Sequence, residues 1–478
     1  MTAPLQAPLW TASALAEITG GEWVAMPQDD AKIYGIELFP RLVEPGDLFV
    51  VTTPERWGRK FTNTLASLPT VKAHDASAVM TDIVPQAVPP DLPVLRVANT
   101  RKSLTKLAEV ARARVAGKVL GLTGSVGKTT TREMLHHLLS RQGRTSATEA
   151  NANTSPGVAL SVARTPGEAQ FVVYELAHGA MSKKSRIAKP QIALITEVAL
   201  AHLEELPTLD AIIDHKAEIF DGLEPGGVAI LNRDSAAFDR LKAHLDRRSI
   251  RNLISFGKEA SSTVRLIHCD PMDRGSTVQA SIEGRQATYY LPVAGFHMVM
   301  NSLSALAGVH AMGADWRRAA EDFATFTAVE GRMEEMLVTL DGGDVRLIND
   351  AFNANPASMV AALATLAQIS PPEGGRRIAV LGEMKELGAA SERLHAELSE
   401  PVIAAGLTQV FTLGNAMKAL NRALPPGLPS FHAGSVEELG QVLRAELAPG
   451  DVVLVKGSHG SHIGNVVPIL MGRKSKTH

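Results

Sequence analysis

Residues 119–130 read VLGLTGSVGKTT, and this stretch decides the fold. A short apolar strand at 119–122 runs into a glycine-rich turn, and Met134 and Leu138 then follow at helical spacing. Glycines let consecutive backbone N–H groups point at phosphate oxygens, and the start of the helix adds partial positive charge. The stretch therefore predicts a strand–loop–helix unit that binds a nucleoside triphosphate.

The residues expected to bind the nucleotide are consecutive: Gly124, Ser125, Val126, Gly127, Lys128, Thr129 and Thr130. Lys128 can reach the β- and γ-phosphates, and the hydroxyl of Thr129 can bind Mg²⁺. The usual pattern has a glycine five residues before Gly127, where this chain has Leu122. The alternative is a glycine-rich turn that precedes a lysine by chance, but the strand before it and the helix after it favour a phosphate loop.

Composition limits the class of protein. The chain has 478 residues, 45% hydrophobic and 21% charged, which suits a globular protein of about three domains. A net charge of −2 gives no basic field that would indicate nucleic acid or a membrane surface. The single cysteine, Cys269, cannot form an intrachain disulfide, and no apolar run approaches the about 18 residues that span a bilayer. We expect a cytoplasmic protein without membrane insertion.

Apolar runs after Lys118 alternate with helical stretches, which predicts a parallel sheet with crossover helices. A separate helix is expected at 100–115, before this region. The predicted strands of the first sheet after 119–122 are 171–174, 192–195 and 228–231. Alternating apolar and polar residues at 264–290 predict a small antiparallel insertion. A second α/β unit is expected from about Gly331, with strands at 345–348, 378–381, 410–413 and 452–455.

Together, the phosphate loop and several later motifs resemble the Mur ligases, ATP-dependent enzymes that form amide bonds in the peptide of bacterial cell wall. The similar segments are 174–176, 201–204, 215–220, 295–297 with Asn301, 331–332, 350–359, 380–388 and 454–458. They run in order from about Lys118 to the end. The last three, at 350–359, 380–388 and 454–458, are most similar to the members that add D-alanyl-D-alanine to a UDP-N-acetylmuramoyl-tripeptide.

The resemblance implies an α/β protein with the three-domain Mur ligase architecture. Residues 1–115 would form an N-terminal acceptor-binding domain of divergent sequence. Residues 116–330 would form the central P-loop ATPase domain with its parallel sheet. Residues 331–478 would form a C-terminal Rossmann-like ligase domain, which brings the incoming amine.

The chemistry that the resemblance implies starts with attack of the acceptor carboxylate on the γ-phosphate of ATP. An amino acid or dipeptide amine then attacks the acyl phosphate. Two Mg²⁺ ions would neutralise the repulsion between the anions. Thr129 and Glu175 are the implied ligands of the first ion. Taken alone, Glu175 would be interpreted as an ordinary exposed acid after a strand; the phosphate loop and the family pattern favour the ligand.

The second Mg²⁺ would be bound by His202 and by Lys216 after its reaction with CO₂ to a carbamate. That reaction requires the neutral amine of the lysine. The alternatives are a structural histidine and a solvated lysine on a helix, paired with Glu218 or Asp214.

Four further residues are implied at the nucleotide. His297 and Asn301 would lie near the adenine, and Asp350 would contact the ribose or another part of the nucleotide. Arg332 has the planar fork that suits a phosphate, although a salt bridge at the domain boundary is the alternative. Lys456 would stabilise charge at the reacting phosphate, unless it is a surface lysine at a strand end. The residues expected to act catalytically are Lys128, Lys216, His202 and Lys456.

The acceptor site departs from the family pattern. Where the family has an Asp-Ser-Arg stretch, this chain has Ile36-Glu37-Leu38, which offers no guanidinium to a diphosphate. Glu37 would repel the diphosphate unless Arg41 compensates, so we expect UDP to contribute less binding than in a standard wall ligase.

Three functions remain open at this point. The first is a ligase of wall synthesis, and the second is a relative that joins an amino acid or peptide to a different carboxylate. The third is a non-catalytic ATP-binding partner protein. The retained phosphate loop and metal-binding residues argue against the third.

Overall fold

The computed structural model describes residues 7–25, 27, 30–83, 88–149 and 152–473. They form two compact units. The first unit comprises residues 1–123, 139–193 and 218–228, and the second comprises 124–138, 194–217 and 229–478. The domain boundaries expected at 115/116 and 330/331 remain predictions.

The first unit begins with a small mixed sheet and short helices. Its strands are β1 (Trp10–Thr11), β2 (Glu22–Ala25), β3 (Lys32–Ile33), β4 (Gly35–Glu37), β5 (Asp47–Val50), β6 (Ala78–Thr81) and β7 (Val94–Arg96). Its helices are α1 (Ala12–Thr19), α2 (Pro54–Trp57), α3 (Leu68–Ala73) and α4 (Thr100–Arg114). Five strands form a sheet in the order β2-β7-β6-β5-β4, parallel except for β2, and β1 pairs with β3.

Helix α4 confirms the helix expected at 100–115. The side chain of Asn99 caps its first turn by accepting a hydrogen bond from the backbone N–H of Lys102. The predicted apolar stripe is buried: Leu104, Leu107, Ala108 and Ala111. Burial of this stripe holds α4 against the rest of the first unit.

The central part of the chain alternates strands and helices. Its strands are β8 (Lys118–Thr123), β9 (Thr145–Ala147), β10 (Phe171–Glu175) and β11 (Ile192–Ile195). Its helices are α5 (Lys128–Leu139), α6 (Ser155–Ala163) and α7 (Met181–Ala188). In the first unit, β10 pairs in parallel with β8 on one side and β9 on the other. Four of its five residues are buried, as expected for a parallel strand that is covered on both faces.

The second unit continues with α8 (Leu209–Ala217), β12 (Val228–Asn232), α9 (Phe238–Arg247), β13 (Asn252–Gly257), β14 (Val264–Met272), β15 (Gly275–Ile282), β16 (Arg285–Leu291), α10 (Phe296–Ala311) and α11 (Trp316–Asp322). Strands β14, β15 and β16 form an antiparallel meander, which confirms the insertion expected at 264–290. Glu283 and Gly284 link β15 to β16, and both have positive φ, as a tight hairpin requires.

The last part of the second unit is a six-stranded sheet with helices. Its strands are β17 (Glu334–Leu340), β18 (Gly343–Asp350), β19 (Arg377–Gly382), β20 (Gln409–Leu413), β21 (Ser430–Ala433) and β22 (Val452–Lys456). Its helices are α12 (Pro356–Gln368), α13 (Ser391–Ala396), α14 (Ser399–Ala404), α15 (Lys418–Ala423), α16 (Val436–Glu446) and α17 (Val466–Leu470). The order is β17-β18-β22-β19-β20-β21, and the sheet is parallel except for β17. The α/β region expected from about Gly331 is therefore confirmed.

None of the helices in the described ranges is long and apolar enough to cross a membrane.

Candidate active site

Close packing fixes the phosphate loop in the second unit. Gly127 has φ 84°, and a Cβ atom on it would overlap the side-chain oxygen of Asn301. A Cβ atom on Gly124 would overlap the hydroxyl of Thr196 in the same way. Glycine is therefore required at both positions by the neighbours of the loop as well as by its curvature. Asn301, which is expected near the adenine, lies directly against the loop at Gly127.

Glu197, which the sequence analysis did not single out, contacts the phosphate loop through its backbone. The backbone oxygen of Glu197 accepts a hydrogen bond of 2.7 Å from the N–H of Ser125. Its side chain accepts hydrogen bonds from Asn232 at 2.5 Å and Ser235 at 2.6 Å. Burial raises the pKa of Glu197, while these hydrogen bonds oppose the rise. Nothing in the sequence marked this residue, because its partners lie 35 and 38 positions further along the chain.

Lys128 and Thr129 are the first two residues of helix α5, and their side chains contact different partners. The ammonium of Lys128 donates hydrogen bonds to the carbonyl oxygens of Gly124 at 2.8 Å and Ser125 at 3.2 Å, so it lies across its own loop. The hydroxyl of Thr129 accepts a hydrogen bond of 2.9 Å from Arg332. The structure thus brings three predicted nucleotide residues, Lys128, Thr129 and Arg332, to one loop.

Lys456 and Asp350 lie side by side at the ends of β22 and β18, where they are register partners in parallel strands. The Lys456 ammonium is 2.6 Å from Oδ2 of Asp350, and its side chain is 2% exposed. The alternative of a surface lysine is therefore wrong. Since both charges are largely buried, each depends on the other for compensation. The carboxyl ends of parallel strands are also where ligands bind in α/β sheets.

His297 lies in the first turn of α10. Burial lowers the pKa of its imidazole to about 4; the Asp350 carboxylate raises this pKa and Lys456 lowers it. The ring is therefore neutral at neutral pH. Among the described residues, its Nδ1 is a buried atom without a hydrogen-bond partner. A neutral ring with an unused polar nitrogen can form a hydrogen bond with a nucleobase or with another neutral polar ligand.

His202 and Lys216, the residues expected at the second metal, have different surroundings. The Nδ1 atom of His202 is 2.5 Å from the carboxylate of Glu386. Lys216 lies near the end of α8 and is fully buried. A solvated lysine is therefore wrong, because its side chain is closed off from water. Asp214, one partner considered for it, is bound by Arg240 at 2.6 Å and by His244 at 2.7 Å.

Hydrogen bonding from Arg240, ahead of that from His244, lowers the pKa of Asp214 to about 2. The carboxylate therefore stays ionised at neutral pH. Its negative charge interacts with Arg240 and His244 on α9.

Glu175 ends β10 in the first unit and is 1% exposed, so the alternative of an exposed acid is wrong. Its Oε1 accepts a hydrogen bond of 3.0 Å from the amide of Asn153, and its backbone N–H donates to Thr148 at 3.0 Å. The carboxylate is held in place by residues of its own unit.

A second missed residue, Lys184 on α7, supports the segment after Glu175. It is fully buried, and its ammonium donates hydrogen bonds to the carbonyl oxygens of Ala177, His178 and Asn153. These carbonyls belong to the two segments that flank the Glu175 carboxylate. A buried ammonium needs such acceptors, so Lys184 fixes both segments at once.

The donor chemistry fits Mg²⁺. Within the described ranges, no three His, Cys, Asp or Glu side chains cluster as a metal site. Mg²⁺ binds oxygen, keeps several waters and takes only one or two carboxylates beside substrate phosphates. The hydroxyl of Thr129 in the second unit and the buried carboxylate of Glu175 in the first are each oxygen donors of the kind that this ion prefers.

Glu37 does not stand as an uncompensated charge at the acceptor region. It is 4% exposed, and its Oε2 is 2.6 Å from the guanidinium of Arg164. Its Oε1 accepts hydrogen bonds from the backbone N–H groups of Leu38 and Phe39. The expected repulsion of a diphosphate by Glu37 is therefore wrong. The compensating cation follows α6, far along the chain, and is not Arg41.

Two family models match the chain. The model described as "Mur ligase middle domain" matches residues 122–309, and the one described as "Mur ligase, glutamate ligase domain" matches 331–459. The chain is 31% identical over 466 residues to the UDP-N-acetylmuramoyl-tripeptide--D-alanyl-D-alanine ligase of Escherichia coli strain K12. This alignment covers 96% of the chain and 98% of the relative. The likeness therefore extends beyond the region after Lys118, into the N-terminal part.

Two solved structures have the same fold as this chain. The crystal structure of MurF from Acinetobacter baumannii is similar with a TM-score of 0.83 and 27% identity, covering 97% of this chain and 99% of that one. MurF ligase from Thermotoga maritima, determined in complex with ADP, has the same fold at 24% identity and a TM-score of 0.74, covering 92% and 97%.

These likenesses confirm the α/β class, the three-domain architecture and the expected similarity to the dipeptide-adding members. The phosphate loop, whose close neighbours Thr196 and Asn301 leave no room for a Cβ atom at Gly124 and Gly127, lies in the matched middle domain. The chain therefore belongs to the Mur ligase family, the ATP-dependent ligases that form amide bonds.

Proposed function

We propose that this chain joins the amine of D-alanyl-D-alanine to the terminal carboxylate of a UDP-N-acetylmuramoyl-tripeptide, with hydrolysis of ATP to ADP and phosphate. The observation that carries the proposal is the likeness along 96% of the chain to the Escherichia coli enzyme of that name. The ADP complex of the Thermotoga maritima relative supports ATP as the nucleotide.

The phosphate loop carries the first step. Its backbone N–H groups cradle the phosphates, and Lys128 leaves its loop carbonyls to bind the γ-phosphate. The acceptor carboxylate attacks that phosphorus, which gives an acyl phosphate and ADP. Arg332 holds the hydroxyl of Thr129 and offers its remaining N–H groups to phosphate oxygens.

The amine of D-alanyl-D-alanine then attacks the acyl carbon, and phosphate leaves with the oxygen that bridged it. The charge that develops on the leaving phosphate requires a nearby cation. Lys456 provides that cation, and Asp350 keeps its ammonium in place. His297, whose ring is neutral and half-buried, and Asn301 would contact the adenine, and Asp350 the ribose or another part of the nucleotide.

Bound Mg²⁺ would neutralise the phosphates and hold the two anions in line. Thr129 and Glu175 would hold the first ion. His202 and Lys216, as its carbamate, would hold the second. The complete burial of Lys216 supports this role, since it distinguishes the side chain from an ordinary solvated lysine.

The proposal includes the organisation of the chain. Residues 1–115 bind the acceptor, 116–330 bind ATP and 331–478 bring the amine. The activity belongs in the cytoplasm, where ATP is supplied.

The departure at Ile36-Glu37-Leu38 favours one second candidate, in which the same chemistry serves an acceptor without UDP. The two candidates are separated by calorimetric titration of UDP-N-acetylmuramoyl-tripeptide with a non-hydrolysable ATP analogue and Mg²⁺. The proposed function predicts micromolar binding that is lost when the UDP group is removed. Undetectable binding of the UDP compound would favour the second candidate. Turnover with a panel of other carboxylate acceptors then identifies the substrate.

A further inference from the structure

Two distant segments of the second unit meet at His202 and Glu386. His202 lies in the part matched to the Mur ligase middle domain, and Glu386 lies in the part matched to the glutamate ligase domain. Their side chains are joined by the 2.5 Å contact between Nδ1 and Oε2. The backbone N–H of Glu204 also donates to the carbonyl oxygen of Glu386 at 3.4 Å. A Cβ atom on Gly388 would lie 3.2 Å from Cγ of Glu204, so the two segments are closely packed.

Both residues of the pair have left-handed backbone conformations. The φ angle is 56° at His202 and 63° at Glu386. This region is unfavourable for residues other than glycine, and it persists where the surrounding structure enforces it. Such positions cluster at functional sites. His202 and Glu386 both have this conformation, and they are the two partners of one hydrogen bond. The backbone of each segment therefore helps to fix the geometry of the contact.

Fold stability does not account for the pair. The His202 side chain is 27% exposed and that of Glu386 is 59% exposed. Ion pairs this open to water contribute little to folding, because solvent screens them and two side chains must be ordered. The contact is better explained by the orientation that it gives to the imidazole.

We infer that Glu386 is the positioning residue for His202 at the second divalent cation, an inference that rests on the proposed function. A carboxylate that accepts a hydrogen bond from Nδ1–H fixes the ring in the tautomer whose Nε2 carries the lone pair. A metal would then be bound through Nε2. Because Glu386 comes from the glutamate ligase part, the cation site is complete only when that segment lies against residues 202–204.

The test measures metal binding without turnover. Free Mn²⁺ is followed by electron paramagnetic resonance during titration of the full chain with a non-hydrolysable ATP analogue. His202→Ala identifies the Mn²⁺ site that depends on the histidine. Glu386→Ala is expected to weaken that site by roughly 10- to 100-fold and to leave the other site unchanged. Glu397→Gln is the matched control, since Glu397 is also a surface glutamate in an ion pair of the same segment.

A second readout reports the ring directly. In ¹⁵N-histidine spectra, the signal lost in His202→Ala is expected to show the Nδ1–H tautomer in the wild type. Glu386→Ala should shift it toward a mixture of tautomers. Glu386→Gln keeps an acceptor oxygen and should restore part of both effects; it also serves as the test variant if Glu386→Ala does not fold.

Two results would overturn the inference. One is Mn²⁺ binding in Glu386→Ala within about two-fold of the wild type together with an unchanged His202 spectrum. The other is a His202→Ala protein that loses no Mn²⁺ site. Neither measurement requires the acceptor or the amine. The proposed function can therefore fail on substrate identity while this inference stands, and the reverse also holds.

Discussion

The guanidinium of Arg332 donates a hydrogen bond of 2.9 Å to the hydroxyl of Thr129, 203 residues earlier in the chain. The same guanidinium lies 4.3 Å from the ring centroid of Phe352. Thr129 is the residue of the phosphate loop that is expected to bind Mg²⁺. A residue of the glutamate ligase part therefore contacts the loop at the point where nucleotide and metal would meet.

Arg332→Lys is expected to lower kcat/KM for ATP by roughly 10- to 100-fold, because a hydrogen bond to a charged group contributes about 1.5–3 kcal/mol. Lysine keeps the charge but cannot bind Thr129 and a phosphate with one planar fork while stacking on Phe352. Steady-state kinetics with varied ATP measure the effect. Arg393→Lys, at an exposed arginine paired with Glu397, is the control. Equal kcat/KM for Arg332→Lys and the wild type would refute a role at the phosphates.

Lys128→Ala is expected to abolish product formation, with a loss of at least about 100- to 1,000-fold in kcat, while the fold is retained. The physical reason is that no other cation of the loop can follow the γ-phosphate through the transfer. The measurement is product formation beside a thermal melt. Lys242→Ala, at an exposed lysine on α9, should be fully active. Wild-type turnover by a folded Lys128→Ala protein would contradict the assignment.

Lys216→Ala is expected to lose activity by more than about 100-fold, and wild-type activity should depend on bicarbonate. A short carboxylate such as acetate, added at high concentration, is expected to supply the missing carboxylate oxygen and restore part of the rate. Rates with and without bicarbonate and acetate test this. If Lys216→Ala turns over normally, the lysine is structural.

The stability of the chain should fall as pH drops below 7, with a contribution from His297. Its folded pKa is about 4, against an ordinary value of 6.5, because burial opposes the charge. As pH falls from about 7 to 4, the unfolded chain takes up a proton at this residue and the folded chain does not. The loss amounts to up to about 3 kcal/mol.

Urea unfolding at several pH values measures this contribution. His297→Gln should flatten the slope of unfolding free energy between pH 7 and 4, whereas His268→Gln, at an exposed histidine, should keep it. An unchanged slope in His297→Gln would show that the ring is not desolvated in solution.

The elements that could be predicted from the sequence are those with strong local patterns. Strand β11 lies at 192–195 as expected, and the apolar stripe of α4 is buried as its spacing indicated. The edge strand β17 was missed, because its residues are mostly half-exposed and its pairing with β18 is a property of the sheet. Local periodicity carries no information about such a partner.

The candidate site likewise contains residues that local sequence patterns predict and residues that they do not. Loop residues 124–130 and the strand-end carboxylate of Glu175 follow from short patterns. Glu197, Lys184 and Glu386 were missed as supports, because each acts through contacts with residues distant in sequence. The error at Glu37 has the same origin, since Arg164 reaches it from 127 positions away. Side chains that compensate a charge across the fold leave no local signal.

The central claim is that the chain activates a carboxylate of a UDP-linked muropeptide by phosphoryl transfer from ATP. The most direct test supplies UDP-N-acetylmuramoyl-tripeptide labelled with ¹⁸O in its terminal carboxylate, together with D-alanyl-D-alanine, ATP and Mg²⁺. We predict the amide product by mass spectrometry and released phosphate that carries ¹⁸O from the carboxylate. Unlabelled phosphate, or hydrolysis of ATP without the amide product, would contradict the account.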